Sequence, residues 1–169
     1  MKKNFLLLLF IFLISFLQNS CGSKRISKKI IVASSGKIES LDPARASTLK
    51  AIQLISSLGD TLYELNSDGE LIPELASGMP IISKDRLKIT INLRKNVFFH
   101  DGTSFNSNAI KFTFDRFKRI GTMNYILGNK IKSIETPSEY SVIINLTKPS
   151  SSLNGLLTSV TLTSISPTF

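Results

Sequence analysis

Residues 87–120, LKITINLRKNVFFHDGTSFNSNAIKFTFDRFKRI, decide the fold. Leu87, Ile89, Ile91 and Leu93 alternate with Lys88, Thr90, Asn92 and Arg94. That two-residue period belongs to a strand with one face buried and the other wet. Val97 and Phe99 read as its continuation. Asp101-Gly102 then turns the chain, with the Asp carboxylate bonding nearby amides. Asn106 or Ser107 caps a helix that carries Ile110, Phe112, Phe114 and Phe117, with Lys111, Arg116, Lys118 and Arg119 towards water.

Downstream, residues 131–134 read as a strand, Thr136-Pro137-Ser138-Glu139 as a turn, and residues 140–146 as the partner strand with Val142, Ile144 and Leu146 on one face. Residues 150–152 precede a short helix with Leu153, Leu156 and Leu157. Residues 160–165 read as one more strand. Upstream, residues 61–65 and Leu71-Ile72 flank the turn Asn66-Ser67-Asp68-Gly69, which is hairpin chemistry. Pro73 opens a helical turn closed by Gly78. Ser47 or Thr48 caps a helix over Ala51, Ile52, Leu54, Ile55 and Leu58, ended by Gly59. Leu41-Asp42-Pro43 is extended, since the residue before proline avoids the helical region. Residues 30–33 read as a buried strand that ends at Ser34-Ser35-Gly36. Residues 30–32 and 160–165, apolar on all sides, are expected to find only each other as sheet neighbours, leaving edges open. Strands and helices are mixed without a repeat, so the fold class is α+β.

The remaining composition narrows the function. Apolar residues make up 42% of the 169, enough for a globular core. One Cys excludes an intramolecular disulfide and a cysteine zinc cage, and one His excludes a multi-histidine metal site. Lys2 and Lys3 precede an apolar run, residues 5–17, interrupted only by Ser15. The run is too short for a bilayer core, which takes about 20 residues. It suits an export signal, whose apolar region is roughly 7–15 residues. Cys21 follows between the small residues Ser20 and Gly22, and so resembles the acylated cysteine of a bacterial lipoprotein. Gln18 stands where such signals usually have Leu, with Leu17 one place earlier. A soluble secreted chain and a retained N-terminal anchor are the alternatives.

The whole chain carries 21 Lys and Arg against 12 Asp and Glu, a net +9 that falls to +7 once Lys2 and Lys3 are removed. Lys24, Arg25, Lys28 and Lys29 form the densest basic cluster, on a polar tether that either rests on anionic lipid or is simply solvated. Elsewhere basic and acidic residues are interspersed, so no nucleic-acid partner is expected.

Chemistry is sparse. His100-Asp101 is the sole adjacent pair of hydrolase type, and metal-dependent phosphohydrolases with that signature need further histidines. There is no Gly-x-Ser-x-Gly elbow, no Gly-x-x-x-x-Gly-Lys phosphate loop and no Gly-x-Gly-x-x-Gly fingerprint. No catalytic residue, metal ligand or cofactor is assigned, and the reading is a non-enzymatic exported module.

The order of short blocks is more specific. Leu41-Asp42-Pro43-Ala44 is followed by Asp60-Thr61-Leu62-Tyr63-Glu64, then Asp68-Gly69 and Leu71-Ile72-Pro73-Glu74-Leu75-Ala76. Residues 93–103 (LRKNVFFHDGT), Phe105-Asn106 and residues 111–117 (KFTFDRF) close the series. Together they resemble the N-terminal part of the family 5 extracellular solute-binding proteins, the peptide-, dipeptide- and nickel-binding receptors of ABC importers. Three departures stand out. Asn108-Ala109 replaces a usual acidic pair, a Trp is absent near Met79-Pro80, and the segment 121–128 is short.

The resemblance implies an incomplete two-lobe fold of the periplasmic-binding-protein type II kind. Residues 1–20 would be the signal, 21–29 the tether, 30–59 the start of lobe I, 60–158 an inserted α+β subdomain and 159–169 a truncated return into lobe I. It implies a peptide or similar solute as ligand and an inner-membrane ABC permease as partner; with the lipoprotein-like signal at Cys21, the expected location is the periplasm or envelope, lipid-anchored to the membrane. It places one lip of the ligand cleft at Ser35, Gly36, Lys37, Ile38 and Glu39, where Gly permits close backbone approach; a plain connector is the competing reading of that loop. An envelope interaction module and an inactive remnant of a receptor are the alternative functions.

Overall fold

The computed structural model describes residues 31–33, 35–150 and 152–168. The chain divides into two units, residues 1–36 and 37–169. Of the first, residues 31–33 are exposed and lie in no strand, Ile31 and Val32 being 79% and 81% accessible. The expected buried strand over residues 30–33 is therefore corrected for these three; Ile30 lies outside the described residues, as do the export signal, Cys21 and the basic tether.

The described residues of the second unit form two antiparallel sheets. The hairpin pairs β1 (Tyr63–Leu65) with β2 (Leu71–Pro73), register Tyr63 to Pro73. The larger sheet runs β3 (Ile81–Ile82), β4 (Lys88–Asn92), β6 (Ser141–Leu146) and β5 (Ile131–Ser138) in spatial order, antiparallel throughout. The two sheets are joined where Ala76 bridges Leu93 and Arg94 N–H donates to Leu75 O at 2.9 Å.

The alternation in residues 87–93 is realised in β4: Ile89 and Ile91 are fully buried while Lys88 and Asn92 are exposed. Val142, Ile144 and Leu146 of β6 and Ile131 and Ile134 of β5 complete the same face. Helix α2 (Ser107–Ile120) covers it, the shorter α1 (Leu49–Ile55) lying earlier in the chain. Asn106 caps α2 as expected, its side-chain oxygen accepting from the amides of Asn108 and Ala109 at 3.0 and 3.3 Å. Thr48 likewise caps α1 through the Ala51 amide at 3.3 Å. On α2 the buried positions are Ser107, Ala109, Ile110, Thr113, Phe114 and Phe117, so Phe112 sits half-buried at the flank of the stripe. Ser107 ties the helix start to the β5–β6 turn through Glu139 O at 2.8 Å and Ser138 O at 2.7 Å.

Tyr63 is wholly buried. Its hydroxyl donates to Gly78 O at 2.8 Å, and burial pushes its ionisation up to about 12.

Several expectations are corrected. Residues 74–76 form bends and a bridge, because Pro73 closes β2 by pairing with Tyr63 and does not open a helix. Residues 97–105 do not extend β4. They fold back on themselves, with Phe98 bridging Ser104 and Phe99 N–H donating to Thr103 O at 2.8 Å. Strand β5 continues through Thr136-Pro137-Ser138 by way of a register shift, so the turn lies at Glu139 and Tyr140.

Residues 160–165 make a 3-10 turn, Val160–Leu162, and then an irregular stretch that belongs to no strand. Instead of seeking a sheet partner, the turn packs on the 3-10 turn Pro43–Arg45, on α2 and on α1. Two elements carried no periodic signal in the sequence: the two-residue β3 and α3 (Asn124–Leu127). The short helix expected after residue 152 is α4 (Leu153–Leu157).

Candidate functional site

Three chain segments meet at one place. The turn after α1 supplies Leu58 and Gly59, the folded-back loop supplies Phe99, His100 and Asp101, and the closing stretch supplies Thr163, Ser164, Ile165 and Ser166. Between them lie two adjoining clefts of about 290 and about 260 Å³ that share Leu58, Gly59, Phe99, His100 and Ser164. Leu41, Pro43, Ile55 and Leu58 give the second an apolar wall.

The closing stretch is held at several points. Ser164 N–H donates to Asp60 O at 3.2 Å, Ile165 N–H to Thr113 Oγ1 at 3.2 Å, and Thr168 Oγ1 to Asp101 Oδ2 at 2.7 Å. Gly59 is required by contact: a Cβ there would lie 2.7 Å from Thr163 Cγ2. The hydroxyl oxygens of Thr163 and Ser164 are buried and unpartnered, a costly state for a polar group.

The arrangement does not form a catalytic pair. His100 Nε2 lies 3.1 Å from Leu58 O. Asp101 accepts instead from the Thr103 amide at 2.9 Å and the Thr103 hydroxyl at 2.6 Å, the turn role expected for it. Hydroxyls of Ser166, Thr103 and Thr168 hold its carboxyl well below the usual carboxylate range. Among the described residues no group of three or more His, Cys, Asp and Glu is placed to hold a metal ion.

A second constellation was not legible in the sequence. Asp42, at the N-cap of the 3-10 turn Pro43–Arg45, accepts two hydrogen bonds from Arg116 of α2, at 2.6 and 2.7 Å. Both side chains are largely shielded, 12% and 13% exposed. The Arg116 guanidinium beside Asp42 holds that carboxyl below its usual range, while Asp42 raises Arg116. The expectation that Arg116 faces water is corrected. This fork-on-carboxylate geometry fastens the Leu41-Asp42-Pro43-Ala44 block to the KFTFDRF block.

The loop named for ligand contact is exposed at every position. Ser35 and Gly36 lie in a bend with Gly36 at φ +103°; Lys37, Ile38 and Glu39 are irregular, Ile38 being 41% accessible. Lys37, Ile38 and Glu39 do not line the two clefts described above.

Residues 70–168 match the family model described as bacterial extracellular solute-binding proteins, family 5 Middle. The chain belongs to this family. Among curated relatives, the glutathione-binding protein GsiB of Salmonella choleraesuis (strain SC-B67) is 31% identical over 143 residues, 83% of this chain and 28% of that protein. The family 5 chain thus spans about 28% of the length of the curated relatives it matches.

Its fold matches part of solved binding proteins. Listeria monocytogenes OppA bound to peptide aligns with a TM-score of 0.74 at 22% identity, over 80% of this chain and 30% of that one. NikZ from Campylobacter jejuni in complex with Ni(L-His) aligns with a TM-score of 0.68 at 26% identity, over 79% and 26%. The incomplete α+β class read from the sequence is borne out: the chain holds part of the binding-protein fold.

Proposed function

We propose that this chain forms part of the substrate-binding component of an ABC importer for peptides or similar small solutes. The observation that carries the reading is the family match across residues 70–168. Relatives named for glutathione, peptide and Ni(L-His) support a small solute. In this reading residues 60–158 are a subdomain inserted between 30–59 and 159–169. The exposed loop Ser35, Gly36, Lys37, Ile38 and Glu39 offers backbone groups to an extended ligand, as an added strand would. The loaded receptor delivers to an inner-membrane permease. Residues 1–20 direct export to the periplasm or envelope, and Cys21 carries the lipid. The part acts by binding and performs no chemistry of its own.

Calorimetry tests this with glutathione and with mixed di- and oligopeptides, on the chain alone and on the chain joined to the remaining length of a family 5 receptor. The joined protein is expected to bind at least one class, and the chain alone more weakly, because enclosure buries most of a ligand. Gly36→Val in the joined protein should weaken binding. A folded joined protein that binds none of these solutes overturns the proposal.

A further inference from the structure

One end of the larger sheet gathers cations that neither the clefts nor the core use. The β3–β4 turn brings Lys84 and Arg86, β4 opens with Lys88, β5 is preceded by Lys130 and carries Lys132, and Lys148 follows β6. Sheet register puts them together: Lys88 pairs with Asn145, Leu146 N–H donates to Leu87 O at 2.7 Å, and Thr147 N–H donates to Lys130 O at 2.9 Å. Lys118, from the last turn of α2, reaches the same corner with Nζ 3.1 Å from Lys132 O.

Five of the six are exposed; Lys130 is half-buried, its Nζ 2.6 Å from Ser152 Oγ. The acids at this end are Asp85 and Glu135; neutral donors engage both, and the charge of Lys88 also acts on Asp85. Asp85 accepts from Ser83 Oγ at 2.6 Å and the Leu87 amide at 3.0 Å, Glu135 from Asn145 Nδ2 at 2.7 Å. Among the described residues none of the six cations makes an ion pair. Lys88 and Lys132 line an open hollow of about 280 Å³ with Asp85, Ser133 and Glu135.

Six like charges on one rim repel one another, a cost that an anionic partner removes. They are spread over three chain segments at one end of the sheet, and only Lys88 and Lys132 line the open hollow. That geometry suits a plane of phosphates better than a single bound anion. We propose that this rim adsorbs to the anionic phospholipid headgroups of the membrane to which the chain is tethered. The choice of partner rests on the export-and-tether reading, which gives the chain a second basic cluster at Lys24, Arg25, Lys28 and Lys29 beside Cys21.

The test is sedimentation of the signal-free chain without acylation at Cys21, with phosphatidylcholine vesicles, with and without phosphatidylglycerol, over a salt series. Binding should require phosphatidylglycerol and weaken as salt screens it. K84Q/R86Q/K88Q/K132Q should lower the partition coefficient by at least about tenfold. K84R/K88R/K132R should retain binding, and K24Q/R25Q/K28Q/K29Q should leave a rim-dependent remainder. The proposal is overturned if the folded rim variant, checked by circular dichroism, binds vesicles like the parent. It is equally overturned if the tether variant alone abolishes binding, or if the rim variant loses only capture of a membrane permease. Solute binding by the joined receptor is read separately, so its failure leaves this result standing.

Discussion

At the residue scale, the Asp42–Arg116 pair is the most consequential contact that spacing could not announce. The partners are 74 positions apart, and a cation among Lys111, Lys118 and Arg119 reads as one more wet position on a helix. The pair is shielded yet near the surface, so its loss should fall between that of an exposed and a fully buried ion pair. Asp42→Asn or Arg116→Lys is expected to cost roughly 1–3 kcal/mol, since neither variant keeps a charged two-pronged bond. Urea midpoints would show it, and a midpoint within error of the parent would refute it.

The pH dependence follows. Asp42 and Asp101 have depressed values in the folded state, so the unfolded chain takes up protons first as pH falls. Their stabilisation is present above about pH 4, the ordinary carboxylate range, and is lost as pH falls through the folded values. Urea midpoints should drop between about pH 4 and 2, and Asp42→Asn should flatten part of that slope.

At the scale of elements, the start of α2 tests the departure at Asn108-Ala109. Asn106→Ala removes the cap and should cost about 1 kcal/mol. Asn108 is exposed in the first turn, so Asn108→Asp should add ~0.3–1 kcal/mol by meeting the positive helix end. Ala109 is fully buried, and Ala109→Glu should destabilise because it puts an acid into the core. Thermal melts of the three variants would rank them; a stabilised Ala109→Glu would contradict the packing.

The same helix and β4 were legible in advance because both are long and strongly periodic. Strand β3 has two residues and α3 four, too few for a period to register. The apolar run 160–165 misled because hydrophobicity reports burial and not backbone shape. Thr161 and Leu162 are indeed buried, but in a 3-10 turn against another turn. Of the clefts, only the Asp101-Gly102 turn was foreseeable. Gly59 against Thr163 and the Asp101–Thr168 bond join residues too distant in sequence for local patterns to connect.

At the scale of the whole molecule, residues 37–168 have one principal apolar core running from Ala44 through both sheets to Leu162, with Tyr63 inside it. The chain has no tryptophan and three tyrosines, so phenol absorbance dominates its near-ultraviolet spectrum. The buried Tyr63 ring thereby becomes a built-in gauge of core integrity. Its folded-state value is raised, so the unfolded chain loses that proton first, and stability declines as pH rises from about 10 towards 12. In an alkaline titration its phenolate signal should emerge together with the collapse of far-ultraviolet ellipticity, as a single late event. A phenolate signal from Tyr63 that developed while the ellipticity held would mean that hydroxide reaches the centre without dismantling it.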